Sequence, residues 1–225
     1  MVQYRSMASP TEENYLKTLF TKADKNGEIA ITELSQFLKV SAPTVNSMIK
    51  NLSQQGLVNY EKYKLLSLTA KGKKSAAVII RKHRLTEMYL VEKMGFGWEM
   101  VHEIAEQIEH IDSPRFFDRM DELLGYPKVD PHGSPIPDKN GKITAKALMK
   151  LSECKVGDQV TLSALANSSE EFLKYLNSKQ LQLEIKLRVE AIEPFDQSMK
   201  IKYLRNRVEI LSQLACDKLL VEKRL

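Results

Sequence analysis

The 225-residue sequence is short of cysteine, of aromatic residues and of long apolar runs, and the first and last of these shortages each remove a class of protein. Its two cysteines, Cys154 and Cys216, lie far apart and outside any CxxC pattern. A disulfide framework or a thiolate zinc site needs more sulfur at closer spacing. No apolar stretch approaches the ~20 residues that span a bilayer, so no membrane partner is expected. The opening MVQYRSMASPTEENY lacks the basic-then-apolar layout of a signal peptide, and a cytoplasmic location is the expectation. HExxH, a nucleophile motif and a phosphate-cradling glycine loop are missing too. The sequence therefore reads as that of a non-enzyme with no small organic substrate. Histidine is also scarce, four in all, and here the placement is informative.

Three of the four histidines fall between His83 and His110, in a window holding six metal-capable side chains: His83, Glu87, His102, Glu106, Glu109 and His110. Side chains three or four positions apart stand over one another on a helix. At ~100° per residue, His102, Glu106, Glu109 and His110 share a stripe of roughly 100°. Imidazole with several carboxylate oxygens suits a divalent first-row metal, manganese or iron rather than a soft thiophile. A plainer reading stands beside this one. Val101, Ile104, Ala105, Ile108 and Ile111 fill the opposite side, and a charged stripe facing an apolar one is the ordinary solvated face of an amphipathic helix.

The net charge is +5, unevenly spread: residues 1–82 carry 13 lysines and arginines against 6 acidic residues. A basic first third beside an acidic middle suggests a nucleic-acid-binding module joined to a cation-binding one. Local signals agree. Ser9, Pro10 and Glu12 predict a capped helix over 9–22, and ITELSQFLKV a short helix capped by Thr32. A further helix runs from a Ser41 cap, with Pro43 in its first turn, to a stop at Gly56. Helix, turn, helix is followed by LVNYEKYKLLSLT, a small hairpin turning at Lys62-Tyr63-Lys64, which makes the unit a winged helix-turn-helix. A long helix then passes through His83 and Glu87 to Met94, another covers Trp98–Ile111, and another Ser113–Leu124. After a Pro/Gly-rich loop over 126–142, DQVTLSAL, LEIKLRVEAI and MKIKYL are strand-like, with one helix around Ser169–Leu176. The expectation is a mainly α chain with a small β domain: a winged helix-turn-helix over 1–75, a helical metal-binding and dimerisation domain over 76–146, and a five-stranded SH3-like barrel over 147–225.

In a winged helix the second helix enters the major groove of double-stranded DNA and its first turns reach base edges. That places Ser41, Pro43, Thr44, Asn46, Ser47 and Lys50 at the bases. Asn46 is suited to adenine, and Pro43 and the Thr44 methyl to thymine methyls. Lys62, Lys64, Lys71 and Lys73 are placed for phosphates, which supply affinity rather than sequence choice. The alternative is that Ser41 is only a cap and the lysines only solvated.

The stretches SAPTVNSMIKNLSQQGLV, YEKYKLLSLTAKGKK, IIRKHRLTEMYLVEKMG, VHEIAEQIEHIDS and DPHGSPIP, in this order, resemble the diphtheria-toxin-repressor family of metal-dependent transcriptional regulators. The resemblance covers most of residues 9–137 and extends more weakly to the family's third, SH3-like (FeoA-like) domain. It implies a homodimer that binds palindromic operators when metal is bound, repressing metal-uptake genes. It also implies two metal sites. The primary one uses Glu106, Glu109 and His110 joined by Asn14, with Asp130 where manganese members carry a cysteine. The ancillary one uses His83, Glu87 and His102, and in the barrel Ser168 and Glu171 match the positions of further ligands in iron-type members. Asn14 replaces an aspartate or methionine, and Lys17 stands where two-domain members have a ligating glutamate. Glu106 replaces a cysteine of iron-type members. With Asp130 it hardens the site toward Mn²⁺, with Fe²⁺ as the alternative. Three other functional readings stay open: an iron-dependent repressor of the same family, a metal-independent winged-helix regulator, and a metallohydrolase using the same His/Glu set. The barrel as a peptide- or partner-binding module is also compatible.

Overall fold

In the computed structural model, which describes residues 9–144, 146–166 and 168–223, helix α1 (Pro10–Lys22) begins at a complete capping box. Ser9 Oγ accepts from the Glu12 N–H at 3.3 Å, and the Glu12 carboxylate accepts from the Ser9 N–H at 2.7 Å. Strand β1 (Glu28–Ile29) and helix α2 (Ile31–Leu38) follow. The cap of α2 differs from expectation. Ala30 holds the N-cap position, Glu33 takes its N–H at 3.0 Å, and Thr32 lies already inside the helix. Helix α3 (Ala42–Gln54) starts at Ser41, whose hydroxyl accepts from the Thr44 N–H. Gly56 at φ 71° then turns the chain out of the helix. Strands β2 (Val58–Asn59) and β3 (Leu66–Leu68) form the expected hairpin, and β1 adds to it in the order β1-β3-β2. Leu16, Leu34, Val45, Ile49, Leu52 and Leu66 close the core of this winged helix-turn-helix.

Buried Glu12 also ties α1 to α3. Its Oε1 accepts from Asn51 Nδ2 at 3.0 Å and from Gln55 Nε2 at 2.7 Å. Helix α4 (Ala70–Glu92) starts against the wing, where a Cβ on Gly72 would lie 2.0 Å from the Leu57 carbonyl oxygen, so only glycine permits this approach. Helix α5 (Val101–Ile108) is shorter than the expected 98–111. Bonds from the Glu109 N–H to the Ala105 carbonyl (2.9 Å) and from Ile111 to Ile108 (3.0 Å) continue it through one last turn, which carries Glu109 and His110. Helix α6 (Pro114–Leu123) follows, with Ser113 at its cap position.

The chain divides into two compact units. One comprises the described residues up to Thr86 with Ile104–Lys128 and Ile136–Ile143; the other comprises Glu87–Glu103, Val129–Pro135 and the described residues from Thr144 on. The second unit holds an antiparallel sheet of six strands rather than five: β4 (Met149–Lys150), β5 (Gln159–Leu165), β6 (Lys186–Ile192), β7 (Met199–Tyr203), β8 (Arg207–Leu211) and β9 (Leu219–Lys223), in the order β4-β9-β5-β6-β7-β8. The extra member is the two-residue β4, too short to show alternation in sequence. Helix α7 (Glu170–Ser178), capped by Ser169, and the one-turn α8 (Gln213–Cys216) pack Leu173, Leu176, Ala215 and Cys216 into the same core as Val160, Leu162, Val189 and Ile201. Burial pushes the Cys216 thiol up to about 12 and raises that of Cys154, so neither offers thiolate at neutral pH. Among the described residues, no helix is long and apolar enough to cross a membrane.

Hydrogen bonds from the Ser9 main chain, and with them those from Gln55, the Ser9 hydroxyl and Asn51, hold the Glu12 carboxyl below its ordinary value against the opposing effect of burial. A depressed carboxyl stabilises the fold above its unfolded pKa, and that stability is lost as pH falls through the folded pKa. Glu12→Ala is therefore expected to cost about 1–2 kcal/mol at pH 7. The gap to wild type should narrow as pH falls below the glutamate range, as read by urea denaturation at neutral and acid pH.

Candidate metal centre and nucleic-acid face

Glu109 has no exposed surface, and both of its oxygens are engaged. Oε1 accepts from Lys17 Nζ at 2.7 Å and Oε2 from His83 Nδ1 at 2.5 Å. The same ammonium donates to Glu106 Oε1 at 2.8 Å, so one cationic nitrogen lies between two carboxylates of α5 and its last turn. Beside them the Nδ1 of His110 meets the buried Glu13 carboxylate at 2.6 Å, while its Nε2 faces Glu109 Oε1 at 3.8 Å. Because Glu13 is the acceptor, the proton of a neutral His110 ring sits on Nδ1 and Nε2 keeps its lone pair. A carboxylate behind an imidazole is the arrangement that orients histidine toward a metal. By the same reasoning His83 donates through Nδ1 to Glu109 and keeps Nε2 as its basic nitrogen. Glu13 and Lys17 stand one turn apart on α1, with half-buried Asn14 beside them.

A second group forms around Glu87, one turn after His83 on α4 and likewise buried. Glu87 Oε1 pairs with Nδ1 of exposed His102 at 3.2 Å. The structure also sets Asp130 with Glu87 and His132, as a buried trio whose candidate donor atoms lie within 4.8 Å of one another. Asp130 Oδ1 accepts from the N–H groups of His132 (2.8 Å) and Ser134 (2.9 Å), the local bond that turns Asx residues into loop formers. His132 Nε2 donates to the Trp98 carbonyl at 2.9 Å, and its Nδ1 faces Glu87 Oε2 at 3.8 Å. Gly133 fastens this loop to β5. At φ 85°, a Cβ there would lie 2.3 Å from the Ser163 carbonyl oxygen. Ser168 and Glu171 are both exposed at the start of α7.

On α3, Ser41, Pro43, Thr44, Ser47 and Lys50 are exposed, as a reading face requires. Asn46 is half-buried, and its Oδ1 accepts from the Tyr60 hydroxyl at 2.9 Å. The wing tip carries Tyr63, 92% exposed, with Lys62 over its ring at 4.8 Å. Lys64 pairs with Glu61 at 2.6 Å. Lys71 donates to the Gln55 carbonyl at 2.9 Å and so closes the C-terminal end of α3, while Lys73 is exposed.

Comparison with known proteins places the parts in order. Residues 7–66 match the iron-dependent repressor N-terminal DNA-binding domain, 69–138 the iron-dependent repressor metal-binding and dimerisation domain, and 149–223 the FeoA domain. The transcriptional regulator MntR of Oceanobacillus iheyensis is 31% identical over 124 residues, which cover 55% of this chain and 84% of that protein. The chain belongs to the iron-dependent repressor family. The iron-dependent repressor IdeR of Mycobacterium leprae is 34% identical over 127 residues, 56% of this family member and 55% of IdeR, so the match spans about half the length of the first curated relatives. Among solved structures, a manganese-dependent transcriptional repressor in complex with manganese superposes with a TM-score of 0.87 at 31% identity, covering 95% of this chain and all of that one. The structure of ScaR with bound Cd²⁺ gives 0.79 at 33%, covering 95% and 99%.

Three polar residues that the sequence did not mark stand beside the candidate site residues of this repressor-family chain: Glu13 behind His110, Tyr60 behind Asn46, and His132 beside Glu87. Lys17, marked by resemblance as replacing a ligating glutamate, is in contact with Glu106 and Glu109 as a cation. The sequence signal for Glu13 is its i, i+4 spacing from Lys17, on either side of Asn14. Neutralising Glu109 by Glu109→Gln leaves its shape but strips two cationic or donor partners of their acceptor charge. The metal-free protein should lose about 3 kcal/mol, the scale of breaking a buried pair, in urea denaturation with chelator present.

Proposed function

We propose that the protein is a metal-dependent DNA-binding transcriptional regulator, Mn²⁺ favoured, which represses metal-uptake genes when metal is bound. The observation that carries this is the convergence of two carboxylates and the Nε2 side of a carboxylate-oriented imidazole, at the end of α5, on a position already holding a cationic nitrogen. Such a donor set fits a divalent ion of oxygen and imidazole preference. Glu106, Glu109 and His110 would hold it, joined by Asn14 of α1. The resemblance adds Asp130 to that primary set, although the structure groups Asp130 with Glu87 and His132. His83, Glu87 and His102 would form an ancillary site, and Ser168 and Glu171 match the positions of further ligands. A bound ion supplies a divalent charge that ties α1 to the end of α5. The winged helix then presents Ser41, Pro43, Thr44, Asn46, Ser47 and Lys50 to base edges, and Lys62, Lys64, Lys71 and Lys73 to phosphates. We place the protein in the cytoplasm as a homodimer on palindromic double-stranded operators, with three domains over 1–75, 76–146 and 147–225 and no catalytic role. Manganese dependence in the superposing repressor supports Mn²⁺, and the name of IdeR supports Fe²⁺ as the alternative.

The test is selection from random DNA duplexes by the full chain, followed by anisotropy titration of the selected duplex with Mn²⁺ and with chelator. The expected result is a palindromic sequence bound about 5–150-fold more tightly with Mn²⁺, the usual range of allosteric coupling. Equal affinity in the two conditions would instead favour the metal-independent winged-helix regulator.

A further inference from the structure

Lys17 is the one element of the primary group that no ligand scheme requires. Its Nζ lies 2.7 Å from Glu109 Oε1 and 2.8 Å from Glu106 Oε1, its side chain is only 14% exposed, and it reaches across from α1 to residues about ninety positions away. A fully buried carboxylate beside a second carboxylate is costly unless a cation compensates it, and in this structure Lys17 supplies that charge. We propose that Lys17 is a tethered competitor for the metal position, setting how much free metal the protein needs before it responds. The proposal rests on the reading that Glu106, Glu109 and His110 hold the ion.

An ammonium and a divalent ion compete for the same two oxygens. Their mutual repulsion at a few ångströms is strong in a partly dry site. Lys17 therefore leaves the carboxylates when a divalent ion binds. Apparent affinity is then reduced by the fraction of molecules in which Lys17 has already moved away. The exchange is felt on α1, because Lys17 lies one turn from Glu13, which orients His110, and three residues from Asn14. A competitor built into α1 thus makes the position of that helix depend on which cation the carboxylates hold.

The test is Mn²⁺ binding by isothermal titration calorimetry on the full chain, wild type against Lys17→Met and Lys17→Gln, without DNA. Both variants are expected to bind Mn²⁺ about tenfold more tightly, corresponding to a closed-to-open ratio for Lys17 of roughly ten. A second readout uses wild type alone: acylation of lysines by an activated ester, mapped by mass spectrometry, with exposed Lys50 as reference. Lys17 labelling should rise severalfold on saturation with Mn²⁺ while Lys50 stays constant. Unchanged or weaker Mn²⁺ affinity in both variants, or Lys17 labelling indifferent to bound Mn²⁺, overturns the proposal alone. Failure of wild type and both variants to bind Mn²⁺ overturns the functional reading beneath it.

Discussion

A carboxylate with no surface in water must be met by charge or by donors on every side, and Glu109 imposes that requirement on this protein. Lys17 meets it from α1 and His83 from α4, while Glu109 itself sits on the last turn of α5. Three segments distant in sequence are thus held to one pair of oxygens. Removing Lys17 with no cation in its place leaves that buried charge without its counter-ion, so the arrangement constrains both the helices and the cation between them.

The imidazoles follow a common rule. His110 is fixed by Glu13, His83 by Glu109, and His132 by the Trp98 carbonyl, each through one ring nitrogen that donates. Each of these three rings thus has its orientation set by a hydrogen-bond acceptor. Glu109 itself meets Lys17 with one oxygen and fixes His83 with the other.

What the sequence made legible were features with a local cause. Ser9, Ser41 and Ser169 cap the helices they were expected to cap or were placed beside, and the wing hairpin turns where Lys62-Tyr63-Lys64 predicted. The metal candidates were visible because helical spacing stacks them. Strands β1 and β4 were not, since two residues carry no alternation, and their pairing is decided by partners far along the chain. At the start of α2 Ala30 rather than Thr32 holds the cap position, and Glu33 accepts from the Ala30 N–H, the half of a capping box that needs no cap side chain. In sequence Glu13 is an ordinary charge on α1, and Lys17 stands out only by resemblance, at the position of a ligating glutamate in two-domain members. Their partners lie 97 and 89 or 92 residues away, a pairing that only the tertiary fold creates. His132 sits in a loop, where no periodicity marks it.

The account turns on a single position occupied in turn by two cations, and a crystal structure of the full chain soaked with Mn²⁺, with the ion located by its anomalous scattering, tests that directly. The account predicts Mn²⁺ within coordination distance of Glu106, Glu109 and His110 Nε2, with the Lys17 ammonium withdrawn from both carboxylates. Mn²⁺ found only elsewhere, or bound there with Lys17 still in contact with Glu106 and Glu109, would contradict it.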